Sequence, residues 1–377
     1  MQEFFLKLYA YFYKYFLKRI FFLLNPDLVH DLITTCGERL GNVGFGRVLA
    51  RRMFFVKNAS LNQNVAGINF KNPIGLSAGF DYEAKLTKIL PQLSFGFQTI
   101  GTITNLAYEG NPKPRLGRLP KSKSLMVNKG FKNSGIKSIV KKLQKSKFEI
   151  PVGLSIGKTN SAKDITQDEA IKDIISAFKI TDNSKIPFSY YELNISCPNL
   201  LGKVSFYPPE NLRELLIAIG KIKLRKPLFI KMPISKTDQE IREMLDVIIK
   251  FKVTGVIFGN VQTDRTDKSL KKEEVKKFPM GNFSGKPTEA RSNELISLAY
   301  KKYGKKLVII GCGGVFSAKD AYRKIKLGAT LVQLITGLIF EGPQLVAQIN
   351  LELPRLLKQD DFKNLSEAVG TDNKLHS

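Results

Sequence analysis

A cysteine framed by two amides is the first place in this chain where chemistry could occur. Residues 190–199 read YYELNISCPN. Tyr190, Tyr191, Leu193 and Ile195 are aromatic, branched or bulky, and predict a strand. Pro198 cannot donate to a ladder and restricts the residue before it, so the strand must stop there. The break presents the Cys197 thiol among small polar groups. A packing cysteine in a turn would read the same way. Asn194 and Asn199 favour a site, because two amides are costly to bury without partners. Lys231 follows three apolar residues within PLFIKM, so it must reach an anionic group or a mouth open to water.

Further candidates recur at the ends of apolar runs. Taken in order, these ends carry Asp81, Thr102, Ser155, Asn194 with Cys197, Lys231, Asn260, Gly314 and Thr336. Amides and hydroxyls dominate and carboxylates are scarce. Such a ring suits a flat, hydrogen-bonding heterocycle, and no metal site is expected. The last two runs end in GCGG (311–314) and ITG (335–337). Their Gly313, Gly314, Thr336 and Gly337 are candidates for approaching a phosphate, although tight turns need glycine anyway. Cys312 reads as a packing residue. His30 and His376 are the only histidines, and His376 falls in a polar tail. A Ser-His-Asp arrangement has almost nothing to be built from, so a general base would be Cys, Lys or a carboxylate.

The elements that must position these residues alternate. Short apolar runs at 73–79, 97–102, 152–157, 190–196, 227–232, 255–260, 307–314 and 331–337 are separated by helix-length spacers. Helical patterns are clearest at 210–224, 238–251, 289–303 and 318–327. This predicts an α/β fold, a (β/α)8 TIM barrel, with its catalytic face at the strand C-termini. Two spacers, 109–135 and 261–284, exceed what a helix needs and read as long functional loops. The expected division is N-terminal helices at 1–46, a linker at 47–71 with a short hairpin near Ala66 and Gly67, the barrel at 72–357, and a mobile polar tail at 358–377. Asp27 is expected to cap the second helix, which runs to about Leu40, and Gly41, Gly44 and Gly46 to form a turn.

Residues 1–24 are aromatic and apolar with interspersed cations. Lys7, Lys14 and Lys18 share one helix face, while Phe5, Leu8, Phe12, Tyr15 and Phe16 occupy others. The run is too interrupted to span a bilayer and lacks a cleavage site, so an interfacial helix is expected, with packing onto the main domain as the alternative. Three scattered cysteines argue for a reducing compartment. A net charge of +27 raises nucleic acid as a partner. The lysines are spread along the whole chain, as a solvated surface would have them, so no nucleic-acid partner is expected.

Together, N-I-S-C-P-N, E-G-N-P-x-P-R, I-x-G-x-G-G and F-E-G-P resemble dihydroorotate dehydrogenase, from about Asn25 to the C-terminal helix. The resemblance implies a barrel holding FMN that oxidises dihydroorotate to orotate in pyrimidine synthesis. LNPDLVHDL and the N-terminal helices resemble class 2, whose helical pair forms a tunnel for membrane quinone beside the flavin. That implies peripheral attachment through residues 1–40 at the cytoplasmic face of the cell membrane; a monomer is compatible. By position, Ala78, Gly79, Phe80, Asp81, Tyr82, Thr102, Ser155, Asn194, Lys231, Gly259, Gly285, Gly313, Gly314, Ile335, Thr336 and Gly337 would surround FMN. Asn128, Lys129, Gly130, Phe131, Asn194, Asn199, Asn260 and Val261 would hold the substrate. Cys197 would be the base and Lys231 would stabilise developing negative charge at the flavin.

The chain departs from class 2 at several positions. Cys197 stands where serine is usual, and Ser155 where asparagine is; both are class 1-like. Tyr82 replaces the first-strand lysine, Val261 replaces a threonine, and Asn128 is displaced by one place. A soluble class 1-like enzyme using fumarate or NAD is therefore an alternative. An RNA-binding flavoprotein and a flavin-free membrane scaffold are two others. The implied chemistry has Cys197 removing a proton from C5 while C6 delivers hydride to the flavin. With a reference thiol pKa of about 8.5, activity should rise with pH unless nearby groups depress that value.

Overall fold

The computed structural model describes residues 2–161, 163 and 165–373, so His376 lies outside the described residues. All eight apolar runs become strands of one closed parallel barrel. Chain order gives β1 (Gln63–Val65), β2 (Ile68–Phe70), β3 (Ile74–Leu76), β4 (Phe97–Ile103), β5 (Leu116–Leu119), β6 (Ser124–Val127), β7 (Val152–Ile156), β8 (Tyr190–Asn194), β9 (Leu228–Met232), β10 (Gly255–Phe258), β11 (Asn282–Gly285), β12 (Val308–Cys312) and β13 (Leu331–Leu334). The barrel runs β3-β4-β7-β8-β9-β10-β12-β13 and closes from β13 onto β3. Helices including Pro209–Lys221, Asp238–Ile248, Glu289–Tyr303 and Ala318–Lys326 fill the spacers. Their apolar faces and the outer strand faces form the main core.

Inward positions alternate along each strand and stack in layers. Phe97, Tyr190, Phe229, Ile310 and Leu331 make an apolar layer near the strand N-termini, and Val65 and Phe70 of the β1–β2 hairpin pack against it. The hairpin thus plugs one end and leaves the C-terminal end for a cavity.

Four sequence expectations change. First, the two long spacers are not simple loops. β5, β6 and β11 join as an antiparallel sheet ordered β11-β6-β5. Short strands LGRL and SLMV meet across a PKSK turn, and Leu119, Met126 and Phe283 form a separate small core beneath them. Second, Gly41 lies inside the helix Pro26–Asn42, and a further helix covers Gly44–Phe54, where a linker was expected. Gly41 serves close approach rather than turning, since an added Cβ would lie 3.1 Å from Lys88 Cβ. Third, Asn25 rather than Asp27 caps that helix, accepting from the Asp27 and Leu28 amides, with Pro26 opening the first turn. Fourth, the described part of the tail, to Asn373, docks: Leu365 and Ala368 are fully buried.

The N-terminal segment packs onto the barrel along one face and leaves a row of aromatic and apolar side chains exposed. It forms a helix Gln2–Phe12, a π-helical turn Tyr13–Leu17 and a helix Lys18–Leu23. Leu6 packs with Phe54, Val56 and Ala347, and the Tyr13 hydroxyl donates to the Ile339 carbonyl at 2.8 Å. Phe4, Leu8, Phe12 and Phe16 remain exposed. No described helix is long and apolar enough to cross a membrane.

Candidate active site

A cavity opens at the C-terminal ends of the barrel strands, roofed by the β11-β6-β5 sheet and flanked by the helix Pro26–Asn42. It holds about 1210 Å³ of space free of atoms, its outer part continuous with solvent. Every barrel strand but β7 ends at it or sends a loop residue to it. Cys197, Lys231, Thr102, Asn194, Asn199, Asn260 and Val261 line it, as do Lys129, Gly130 and Phe131. Ala78, Gly79, Phe80, Tyr82, Gly259, Gly285, Gly313, Gly314, Ile335, Thr336 and Gly337 line it too.

Three expected residues stand off the wall. Asp81 is fully enclosed, accepting from the Lys85 and Leu86 amides and from Gln98 Nε2 at 2.6 Å. It anchors the loop after β3. Ser155 lies one layer back, its hydroxyl 2.9 Å from Thr102 Oγ1. Asn128 accepts from Asn111 Nδ2 at 3.0 Å and donates toward Met280 Sδ, so its amide is spent on the roof. Conversely, His30, Ser77, Val127, Ser284, Thr288 and Cys312 reach the cavity without having been anticipated as site residues. Ser77 sits inside the first apolar run and His30 inside LNPDLVHDL, so their neighbourhoods were legible although their roles were not. Cys312, expected to pack, does so on one side and faces the cavity on the other.

The amides are held before anything binds. Asn194 Nδ2 donates to Thr102 Oγ1 at 2.7 Å, and its Oδ1 accepts from the Ser196 hydroxyl at 3.0 Å. Asn260 Nδ2 donates to the Ser196 carbonyl at 2.7 Å. Asn199 Nδ2 donates to the Val127 carbonyl at 3.1 Å, and its Oδ1 accepts from Asn282 Nδ2 at 2.7 Å. Amides each held by the surrounding protein present fixed dipoles, which suits recognition of a planar ring.

Charge is sparse and unbalanced. Lys231 is buried at the end of β9, and its Nζ donates to Ser77 Oγ at 3.0 Å. No carboxylate forms an ion pair with it among the described residues. Burial pushes the Cys197 thiol up to about 11, while the Asn199 backbone N–H and Lys231 pull the other way. Burial lowers the Lys129 ammonium to about 8 against the pull of Asp27 and Asp31. Burial also lowers His30 to about 4, with Lys129 adding to the effect.

The residues fit a flavin. One wall is bare backbone where β10 and β12 end; at Gly314, with φ +71°, any Cβ would collide with Glu289. A buried lysine, Lys231, with no ion pair among the described residues, faces the same space. Both features suit a flat, electron-rich group carrying a phosphate.

The comparisons decide the family. A model of dihydroorotate dehydrogenase matches residues 60–357. The chain belongs to the dihydroorotate dehydrogenase family. Among its relatives, dihydroorotate dehydrogenase (quinone) of Trichodesmium erythraeum is 35% identical over 87% of this chain and 88% of its own. The enzyme of the same name from Sulfurimonas denitrificans is 35% identical over 94% and 97%. The crystal structure of DHODH in complex with ferulenol from Eimeria tenella superposes with a TM-score of 0.81 at 26% identity, covering 93% of this chain and 96% of that one. As a dihydroorotate dehydrogenase, the chain is an oxidoreductase of pyrimidine biosynthesis.

Proposed function

We propose that the chain uses FMN at the barrel mouth to oxidise dihydroorotate to orotate and passes the electrons to membrane quinone, at the cytoplasmic face of the membrane. The observation that carries this reading is one cavity holding Cys197, Lys231 and three asparagines fixed by hydrogen bonds to their neighbours. Bound flavin would supply a two-electron acceptor. Ala78, Gly79, Phe80, Tyr82, Thr102, Lys231, Gly259, Gly285, Gly313, Gly314, Ile335, Thr336 and Gly337 would hold it. Asp81 and Ser155 act from behind, on the β3 loop and on Thr102.

Asn194, Asn199 and Asn260 orient the pyrimidine edge, and Lys129, beside Gly130 and Phe131 on the cavity wall, supplies a cation to the substrate. Phe131 and Val261 exclude water from the ring. Cys197, as thiolate, takes the proton from C5. Desolvation makes that thiolate scarce at neutral pH and strongly basic when formed. Lys231 stabilises negative charge arriving at the mouth.

Residues Cys197 and Ser155 keep open a soluble acceptor such as fumarate or NAD. The exposed Phe4, Leu8, Phe12 and Phe16, and a cavity that reaches His30 of the N-terminal helices, support quinone at a membrane surface. The test is an absorbance spectrum of the purified chain, taken anaerobically before and after adding dihydroorotate. A flavin spectrum that bleaches supports the reading. A colourless protein, or a flavin that dihydroorotate leaves oxidised, overturns it.

A further inference from the structure

Beneath the mouth lies a carboxyl that the proposed chemistry leaves unused. Glu192 points into the barrel from β8, two residues before Asn194, and is fully buried. Its Oε1 accepts from Thr99 Oγ1 at 2.6 Å and from Gln333 Nε2 at 2.7 Å. Thr99 Oγ1 in turn lies 2.8 Å from the Tyr190 hydroxyl and accepts from Gln333 Nε2 at 3.1 Å. Oε2 has no hydrogen-bond partner among the described residues. One oxygen is therefore saturated, and a proton on this carboxyl belongs on the other.

The charged and titratable surroundings are few. Lys231 on the neighbouring strand β9 is the charge that acts on Glu192 most. Tyr190 lies on the same strand, and Cys312 on β12 is 3.6 Å from the Ser77 hydroxyl that Lys231 also meets. Asp81 is one amide further off, beyond Gln98. Burial favours the neutral acid and Lys231 favours the carboxylate. Burial is the larger effect, opposed also by the Thr99 and Gln333 hydrogen bonds, and a negative charge arriving nearby adds to the preference for the neutral acid.

We propose that Glu192 is a redox-linked proton site: Oε2 binds a proton when two-electron reduction brings negative charge to the mouth beside Lys231, and releases it on reoxidation. The inference rests on the flavin reading above. The step balances. A hydride equivalent from dihydroorotate brings one net negative charge. One proton from solvent forms the O–H bond at Oε2 and cancels it. Both leave when the acceptor takes the electrons, and the carboxyl itself is neither oxidised nor reduced. With the proton on, Lys231 is free to pair with the incoming charge; with it off, Glu192 compensates Lys231 from below.

The test measures the midpoint potential of flavin in the full-length holoprotein across about pH 5 to 9, for the wild type and Glu192→Gln. The substitution keeps an oxygen for Thr99 and Gln333 and removes the titration. The wild-type potential should fall more steeply with pH, by up to about 30 mV per pH unit, the value of one proton per two electrons. Parallel slopes over the whole range overturn the proposal. If Glu192→Gln does not fold, the reduced-minus-oxidised infrared spectrum of the wild type decides. A protonated-carboxyl band gained on reduction supports the proposal, and no carboxyl change overturns it. Flavin-loaded protein with parallel slopes sinks this inference alone; protein that binds no flavin sinks the flavin reading and this inference together.

Discussion

The Lys129 ammonium lies 3.2 Å from the Tyr82 hydroxyl and 4.7 Å from the centre of its ring. It also sits 3.9 Å from Asp27 Oδ1, so one side chain joins the cavity roof, the loop after β3 and the N-terminal helices. Lys85, the other candidate for a first-strand cation, turns away to Thr35 Oγ1 at 3.1 Å. Lys129→Met should therefore raise KM for dihydroorotate about 10- to 100-fold, the value of a charge-assisted hydrogen bond of ~1.5–3 kcal/mol. Because its ammonium titrates near 8, wild-type KM should climb above that pH as the charge is lost. Steady-state kinetics against pH check both effects, and the variant should lack the upper limb.

The role proposed for Cys197 predicts a second pH effect. With the thiol raised to about 11, the thiolate fraction grows about tenfold per pH unit throughout the physiological range. Reduction of bound flavin by dihydroorotate, followed by stopped-flow absorbance, should accelerate in that proportion. A rate already flat below pH 8 would contradict the assignment.

His30 ties the N-terminal helices to the barrel. Its Nε2 donates to the Phe80 carbonyl at 2.8 Å, and its ring stacks on Tyr82. The native ring titrates near 4 and an unfolded one near 6.5. Between those values the unfolded state binds more protons, so stability rises with pH there and is lost as pH falls from 6.5 toward 4. The loss is at most ~3 kcal/mol. Denaturant midpoints across that window should show this limb in the wild type and a flatter one in His30→Phe.

The exposed aromatic face makes a prediction separable from catalysis. Phe12 and Phe16 stack on each other in open solvent. Burying each in a lipid interface is worth ~2 kcal/mol. Phe12→Glu with Phe16→Glu should weaken co-sedimentation with vesicles at least tenfold. Dihydroorotate-to-dye activity should persist while reduction of a lipid-soluble quinone falls.

The barrel was legible because each strand is a short apolar run closed by polar or small residues, a pattern set by local burial alone. The positions of Lys231 and Cys197 at the barrel mouth were legible for the same reason, as polar groups closing an apolar run. The roof sheet was not, since β11 meets β6 across more than 150 residues and no local pattern reports that pairing. Asn128 was misplaced because its direction depends on Asn111 and Met280, partners that only the fold supplies. Nothing in the sequence singles out Glu192, because its surroundings of Thr99, Gln333 and Lys231 exist only once the barrel closes.

The most direct test of the account is a single anaerobic turnover: dihydroorotate mixed with flavin-loaded wild type and with Cys197→Ala, reading the loss of flavin absorbance. Removal of the base should slow bleaching by about two to four orders of magnitude while leaving the flavin bound. Equal rates for the two proteins would show that the proton at C5 leaves by another route.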